Sequence, residues 1–364
     1  MYFRLMISVV VGTRPEIIKM APIILELKRR NTNFRIVHTG QHYDLELSQI
    51  FFEELGLPHP DHLLEVGSGT QAHQTATALI RLEEVFMEQE PDLVLVEGDT
   101  NTVLAGALAA AKLEIDVGHV EAGLRSRDLR MPEEHNRRLT DHISKHLFAP
   151  TEWSASNLKS EGVWGDVHVV GNTVIDACIR YLPLATQKSE VLERLEFDQF
   201  ALATAHRAEN VDDPAVLKNI VQILVDCPAP VVYPLHPRTE KMLKEQEMWE
   251  ELSGSGNVQI IPPVGYFDFL VLMKNCSFIL TDSGGIQEEV TAPNLMKKVF
   301  VLRLSTERPE AVETGHAEVV GLEPGRVLES VRAFLESKEM RMGESPYGTG
   351  NSGRKIVDIL ETPQ

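Results

Sequence analysis

Leu5-Met6-Ile7-Ser8-Val9-Val10-Val11-Gly12-Thr13-Arg14-Pro15-Glu16 decides the fold class. An uninterrupted apolar, β-branched run is the pattern of a strand buried on both faces, as in a parallel sheet. Gly12-Thr13 turns the chain, and Pro15 suits the first turn of a helix continuing to Arg30. Pro22 falls inside that helix, where a ring without an N–H is expected to kink it.

The same strand–turn–helix unit recurs along the chain. Strands are expected at Arg35–Thr39, Asp92–Val96, Ile115–Val120, His146–Phe148 and Val167–Val170. Helices are expected at Leu45–Leu55, Gln71–Glu88, Asn101–Lys112, Glu133–Lys145 and Thr151–Ser160. Alternation of this kind calls for a parallel, doubly wound α/β sheet. The pattern weakens after Gly171, and Tyr181–Lys188, carrying Pro183, reads as a crossing between domains. It restarts with strands at Phe200–Ala205, Val231–Leu235, Val258–Ile261, Phe278–Thr281, Val299–Leu302 and Glu318–Val320. The expected organisation is two Rossmann-like domains, residues 1–171 and 172–353, facing across a cleft. A C-terminal helix within 354–364 is expected to pack back on the first. Ligands of such sheets bind at the C-terminal ends of the strands.

At 364 residues with 43% hydrophobic content, both domains can bury a core. A net charge of −19 argues against a nucleic-acid surface, yet a few clustered Arg and His can still hold a small anion. Cys178, Cys227 and Cys276 have no paired short spacing, which suits core positions in a reducing cytosol. No run approaches the ~20 apolar residues of a membrane span, and Leu5–Val11 lacks a cleavage pattern, so a soluble protein is expected.

The residues that could carry chemistry lie at expected strand ends. Arg14 and Lys19 could hold a phosphate or carboxylate, or be solvated charges at a helix start. Asp99 is either a cap for the helix from Asn101 or a catalytic base. Glu121 and Arg125 follow the next strand, and Glu133 opens the helix after it. Crowded carboxylates raise at least one pKa and supply acid–base partners. In the second half, His206 is a candidate general acid or phosphate partner, with a structural histidine as the alternative. His236-Pro237-Arg238 ends the following strand and could act similarly. Asp282-Ser283-Gly284-Gly285-Ile286-Gln287-Glu288-Glu289 turns tightly into a helix whose free N–H groups favour an anion. Arg308 could complete an anion clamp there. Phe269 is a core residue by position, or a ligand platform.

Some readings fail. No G-x-G-x-x-G follows a strand, no G-x-x-x-x-G-K-[ST] occurs, and Gly67-Ser68-Gly69-Thr70 is not a phosphate loop. His135, His142 and His146 have no metal signature with them.

Gly12–Glu16, Glu97–Thr100, His119–Arg125, Pro132–Glu134, Thr204–Glu209, Asp282–Glu289 and Thr306–Glu310 occur in order at suitable spacing. Together they make the chain resemble, over essentially its full length, the non-hydrolysing UDP-N-acetylglucosamine 2-epimerases. The resemblance implies a glycosyltransferase-B architecture, a cytoplasmic homodimer, no cofactor, and UDP-N-acetylglucosamine, UDP-N-acetylmannosamine and UDP as ligands. It implies elimination of UDP to 2-acetamidoglucal and re-addition with inverted C2. It assigns Asp99, Glu121, Glu133 and His206 to catalysis, and Arg14, Ser283, Gly285, Glu289 and Arg308 to the nucleotide sugar. Glu289 would then bind the ribose hydroxyls, with Phe269 against the uracil and Gly284 in the diphosphate turn. Tyr43-Asp44 and Arg238 depart from bacterial members, which commonly have Arg-Glu and Asn there, in regions that contribute to a regulatory second site. The chain is about two residues longer after Glu289, and Met296-Lys297-Lys298 stands where Gly-Lys-Pro is usual. Rival functions are a UDP-sugar glycosyltransferase of the same fold and a silent UDP-sugar sensor.

Overall fold

The computed structural model describes residues 5–40, 45–337 and 342–362, with the side chains of 45–49 left aside. The described chain forms two compact units, residues 1–177 with 347–364, and 178–346.

In the first unit, β1 (Met6–Val11), β2 (Asn33–His38), β3 (His62–Leu63), β4 (Leu93–Glu97), β5 (Asp116–Val120), β6 (His146–Ala149) and β7 (Asp166–Val169) make one sheet in the order β3-β2-β1-β4-β5-β6-β7. Every described pairing is parallel. β1 and β4 are buried along nearly their whole length, which is why their sequences are continuous apolar runs. The order reverses between β1 and β4, the switch point where such sheets open a crevice at the strand C-termini. Helix Ser352–Leu360 joins this unit, with Arg30 reaching Asp358 and Glu361 at 2.6 and 3.0 Å. Gly353 lets it approach Pro22, since a Cβ there would sit 3.0 Å from that proline's ring.

The second unit repeats the plan with β8 (Ala201–Thr204), β9 (Val231–Pro234), β10 (Val258–Ile261), β11 (Ile279–Thr281), β12 (Val299–Val301) and β13 (Ala317–Val319). Their order is β10-β9-β8-β11-β12-β13, again parallel, with the reversal between β8 and β11.

The structure decides two local points. Tyr181–Lys188 is the second half of a sixteen-residue helix, Thr173–Lys188, and Pro183 does not end it. Buried Val174, Ile175, Cys178, Tyr181, Leu182 and Ala185 form one apolar stripe at helical spacing, whose burial outweighs the lost hydrogen bond. Asp99 does not cap helix Asn101–Lys112; the Thr100 hydroxyl does, accepting from the Val103 N–H. All three cysteines are buried, as their isolation implied.

Candidate active site

In the first unit the switch point gathers charge from three segments. Glu16, in the first turn of helix Arg14–Arg30, is buried beside the end of β1 and accepts from the Gly12 N–H and the Thr13 hydroxyl, both at 2.8 Å. Burial pushes its carboxyl up to about 7, with donors from Thr13, Thr100 and Gly12 opposing and Asp99 adding to the rise. Lys19, one turn on, does not project as a free cation: its Nζ lies 2.5 Å from Glu121 Oε2 and 3.2 Å from Glu97 Oε1. Glu97 is the last residue of β4 and is buried. Burial holds its carboxyl well above the ordinary carboxylate range; Lys19 opposes this, while Glu121 and Glu16 reinforce it.

Glu121, just past β5, sits at φ 67°, a region non-glycine residues seldom enter. Lys19 and the Asn172 amide, 2.8 Å away, fix its side chain in that conformation. Asp99, half-buried after β4, accepts from Arg137 at 2.6 Å, and Arg137 also reaches Glu134 at 2.9 Å. Glu133 and Glu134 share the first turn of helix Pro132–Ile143, but their surroundings differ. Glu134 is buried and takes N–H donors from Ser126 and Arg127, tying down the preceding loop. Burial raises its carboxyl, yet the Ser126 and Arg137 donors outweigh that and leave it below the usual range. Glu133, its neighbour, is half-buried.

Beneath them, His119 Nδ1 meets Asp141 at 2.7 Å and its Nε2 meets the Gly98 carbonyl at 2.8 Å, which holds the turn carrying Asp99. Arg125 lies 2.7 Å from Asp141 and pairs with Glu161, so it braces this scaffold. Arg14 is exposed at the helix start, its guanidinium 5.8 Å from the Phe51 ring centre. Gln41–Asp44 lie outside the described residues.

In the second unit, the Asp282 carboxylate organises the switch point. Wholly buried, its Oδ2 accepts from the His206 N–H at 3.0 Å, the Arg207 N–H at 2.9 Å and the Asn210 amide at 3.1 Å. Its Oδ1 lies 3.3 Å from His206 Nδ1, so one acid sets both the backbone and the ring of His206. The ring remains 43% exposed and free to meet a ligand. Ser283 precedes helix Gly284–Glu289. A Cβ on Gly284 would come within 3.2 Å of Arg308 Nη1, whereas at Gly285 it would meet nothing within 4 Å. Gly284 therefore admits the arginine, and Gly285 presents bare backbone to open space. Arg308 is buried, 3.1 Å from Glu288 and 3.5 Å from Glu307. Glu307 also takes Arg303 at 2.8 Å; burial raises its carboxyl, but the Arg303 and Arg308 guanidinium groups hold it far below the usual range.

His206, His236, Phe269, Val264 and Ile286 line an open pocket of about 220 Å³, with Phe269 half-buried in its wall. Glu289 is half-buried at the end of the Gly-Gly helix. Arg238 departs from this site and pairs with Asp212, its Nε 3.0 Å from Oδ1. A larger hollow of about 490 Å³, lined by Arg30, Asp92, Asp116 and Lys145, lies at the N-terminal ends of the first unit's strands. Doubly wound sheets bind ligands at the other end.

Reading the sequence alone missed Glu16, Glu97, Asn172, Asp282 and Arg137. Asp282 carried a signal: an acid at the end of a buried strand, one residue past the apolar run Phe278–Leu280, needs buried donors.

A model of the UDP-N-acetylglucosamine 2-epimerase family matches residues 25–361. The chain belongs to the UDP-N-acetylglucosamine 2-epimerase family. UDP-N-acetylglucosamine 2-epimerase of Methanocaldococcus jannaschii is 48% identical, over 97% of this chain and 98% of its own length. UDP-2,3-diacetamido-2,3-dideoxy-D-glucuronate 2-epimerase of Pseudomonas aeruginosa is 40% identical, over 97% and 99%. The M. jannaschii enzyme solved with UDP-GlcNAc and UDP superposes with a TM-score of 0.90 at 48% identity, over 98% and 99% of the two chains. The Neisseria meningitidis enzyme bound to UDP-GlcNAc gives 0.88 at 39%, over 98% and 99%. The architecture is that of this family, two Rossmann-like units of the glycosyltransferase-B class, and the protein is an epimerase by membership.

Proposed function

We propose that this chain interconverts UDP-N-acetylglucosamine and UDP-N-acetylmannosamine by eliminating UDP to 2-acetamidoglucal and adding it back with inverted C2. The C2 proton is not acidic, so it leaves either after oxidation of a neighbouring carbon or together with departure of the anomeric diphosphate. The second route needs proton-transfer groups and a seat for the leaving group. The observation that carries the reading is the pair of carboxylates on adjacent strand ends, Asp99 after β4 and Glu121 after β5. Each is aimed by its own cation, Arg137 and Lys19. Glu133 and His206 complete the acid–base set.

The seat is the second unit's switch point. Bare backbone at Ser283-Gly284-Gly285, with Arg308 behind it, suits a diphosphate. Glu289 suits ribose hydroxyls, and Phe269 in the pocket wall suits a flat base. Arg14, exposed at the first unit's switch point, suits the sugar-bearing end of the nucleotide. No residue is asked to hold a redox cofactor. Family likeness also supports a homodimer in the cytoplasm, and no described helix is long and apolar enough to cross a membrane.

The test is turnover without NAD or acceptor. Starting from either sugar nucleotide, the wild type should reach one common mixture. Asp99→Asn and Glu121→Gln should bind UDP as the wild type does and turn over at least ~100-fold slower, the scale of one lost proton-transfer group. Wild-type rates in both variants would remove these acids from the reaction.

A further inference from the structure

Four ionisable side chains cluster here, Glu121 among them: Lys19 bridges Glu121 and Glu97 at 2.5 and 3.2 Å, and Glu16 lies one helical turn before Lys19. Three are carboxyls, Glu16, Glu97 and Glu121, each at most 7% exposed, and one is an ammonium. If all were ionised, three neighbouring buried carboxylates would crowd around one ammonium, which burial disfavours strongly. The cluster must therefore retain a proton near neutral pH. Glu121 is the member with the best reason to be ionised, since it accepts from both Lys19 and Asn172.

We propose that Glu97 is a positioning residue for the reaction: through the shared Lys19 ammonium, its protonation state sets the charge and proton affinity of Glu121. The proposal rests on the reading of Glu121 as an acid–base group. A protonated Glu97 leaves Lys19 to Glu121, which stays ionised and ready to take a proton. An ionised Glu97 draws the ammonium toward itself and adds a negative charge behind Glu121, so Glu121 holds its proton more tightly. No bond in the substrate is touched by Glu97. The groups facing it are Lys19 and Glu16 from the helix after β1 and Glu121 from the end of β5. Its carboxyl, lifted by burial, remains protonated to higher pH than an ordinary glutamate.

Glu97→Gln fixes the neutral form with nearly the same shape. The pH profile of kcat should keep its acidic limb, set by Glu121 beside a neutral Glu97, and should lose the inflection that Glu97 ionisation contributes in the wild type. KM for UDP-N-acetylglucosamine at pH 7 should stay within about twofold. A purely structural role would lower kcat or raise KM evenly across pH. A second readout needs no turnover: carbon-13 NMR of glutamate carboxyls, with Glu121 assigned by Glu121→Gln. In the wild type the Glu121 signal should show a second inflection as Glu97 titrates, and Glu97→Gln should abolish it. Superimposable pH profiles, or a Glu121 titration unchanged in Glu97→Gln, would overturn the proposal. An inactive wild type whose Glu121 signal shows the inflection, with Glu97→Gln abolishing it, would sink the epimerase reading and leave the coupling standing.

Discussion

Glu16 makes the stability of the first unit depend on pH. Its carboxyl rises from the ordinary 4.5 to about 7 in the folded chain. A raised acid favours folding while it is protonated: its contribution is full below pH 4.5 and is lost as the pH climbs to about 7. The shift corresponds to roughly 3 kcal/mol. Glu16→Gln keeps one acceptor oxygen for the Gly12 N–H, lets the Thr13 hydroxyl accept from its amide NH2 instead, and has no titration. Urea midpoints at pH 4.5 and pH 8 should fall further in the wild type than in the variant. Parallel changes would show that Glu16 is not the cause. None of this was legible in the sequence. The Gly12–Glu16 motif drew attention to Arg14, because a cation at a strand end is visible in a string of letters and the burial of its neighbour is not. Glu97 was overlooked for the same reason.

At the scale of elements, strands and helices were readable because parallel strands buried on both faces are continuous apolar runs. Turn chemistry was less so. Asp99 and Thr100 are both good caps by type, and only the backbone geometry at Thr100 shows which one caps. Tyr181–Lys188 shows in the sequence only as a crossing between domains, because the burial that keeps Thr173–Lys188 helical comes from packing. The two-residue β3 is too short to leave a periodic signal. The Gly284–Glu289 turn was read correctly as a turn into a helix, and its two glycines prove to have different duties. Gly285→Ala adds a methyl that meets no protein atom within 4 Å. Stability should hold or rise by up to ~1 kcal/mol. UDP affinity, by calorimetry, should fall at least about tenfold, because the added methyl enters the space proposed for diphosphate. Unchanged affinity would move the diphosphate elsewhere.

At the scale of the molecule, two sheets of the same topology carry different kinds of group. The first unit's switch point is rich in carboxylates set on lysine and arginine, and the second's offers backbone, arginine and an aromatic wall. That division is what elimination and re-addition asks for, one set of groups to move a proton and another to hold a leaving anion. The net charge of −19 is consistent with it, because cations are kept for individual positions. Sedimentation equilibrium should find a mass twice the 40.7 kDa chain; a monomer at micromolar concentration would contradict the homodimer.

The central claim is that the C2 proton leaves and returns without oxidation. Incubating the protein with UDP-N-acetylglucosamine in deuterium oxide, without NAD, and following it by proton NMR tests this directly. UDP-N-acetylmannosamine carrying deuterium at C2 is the predicted product. Recovery of unchanged substrate, or epimer that keeps its original proton, would contradict it.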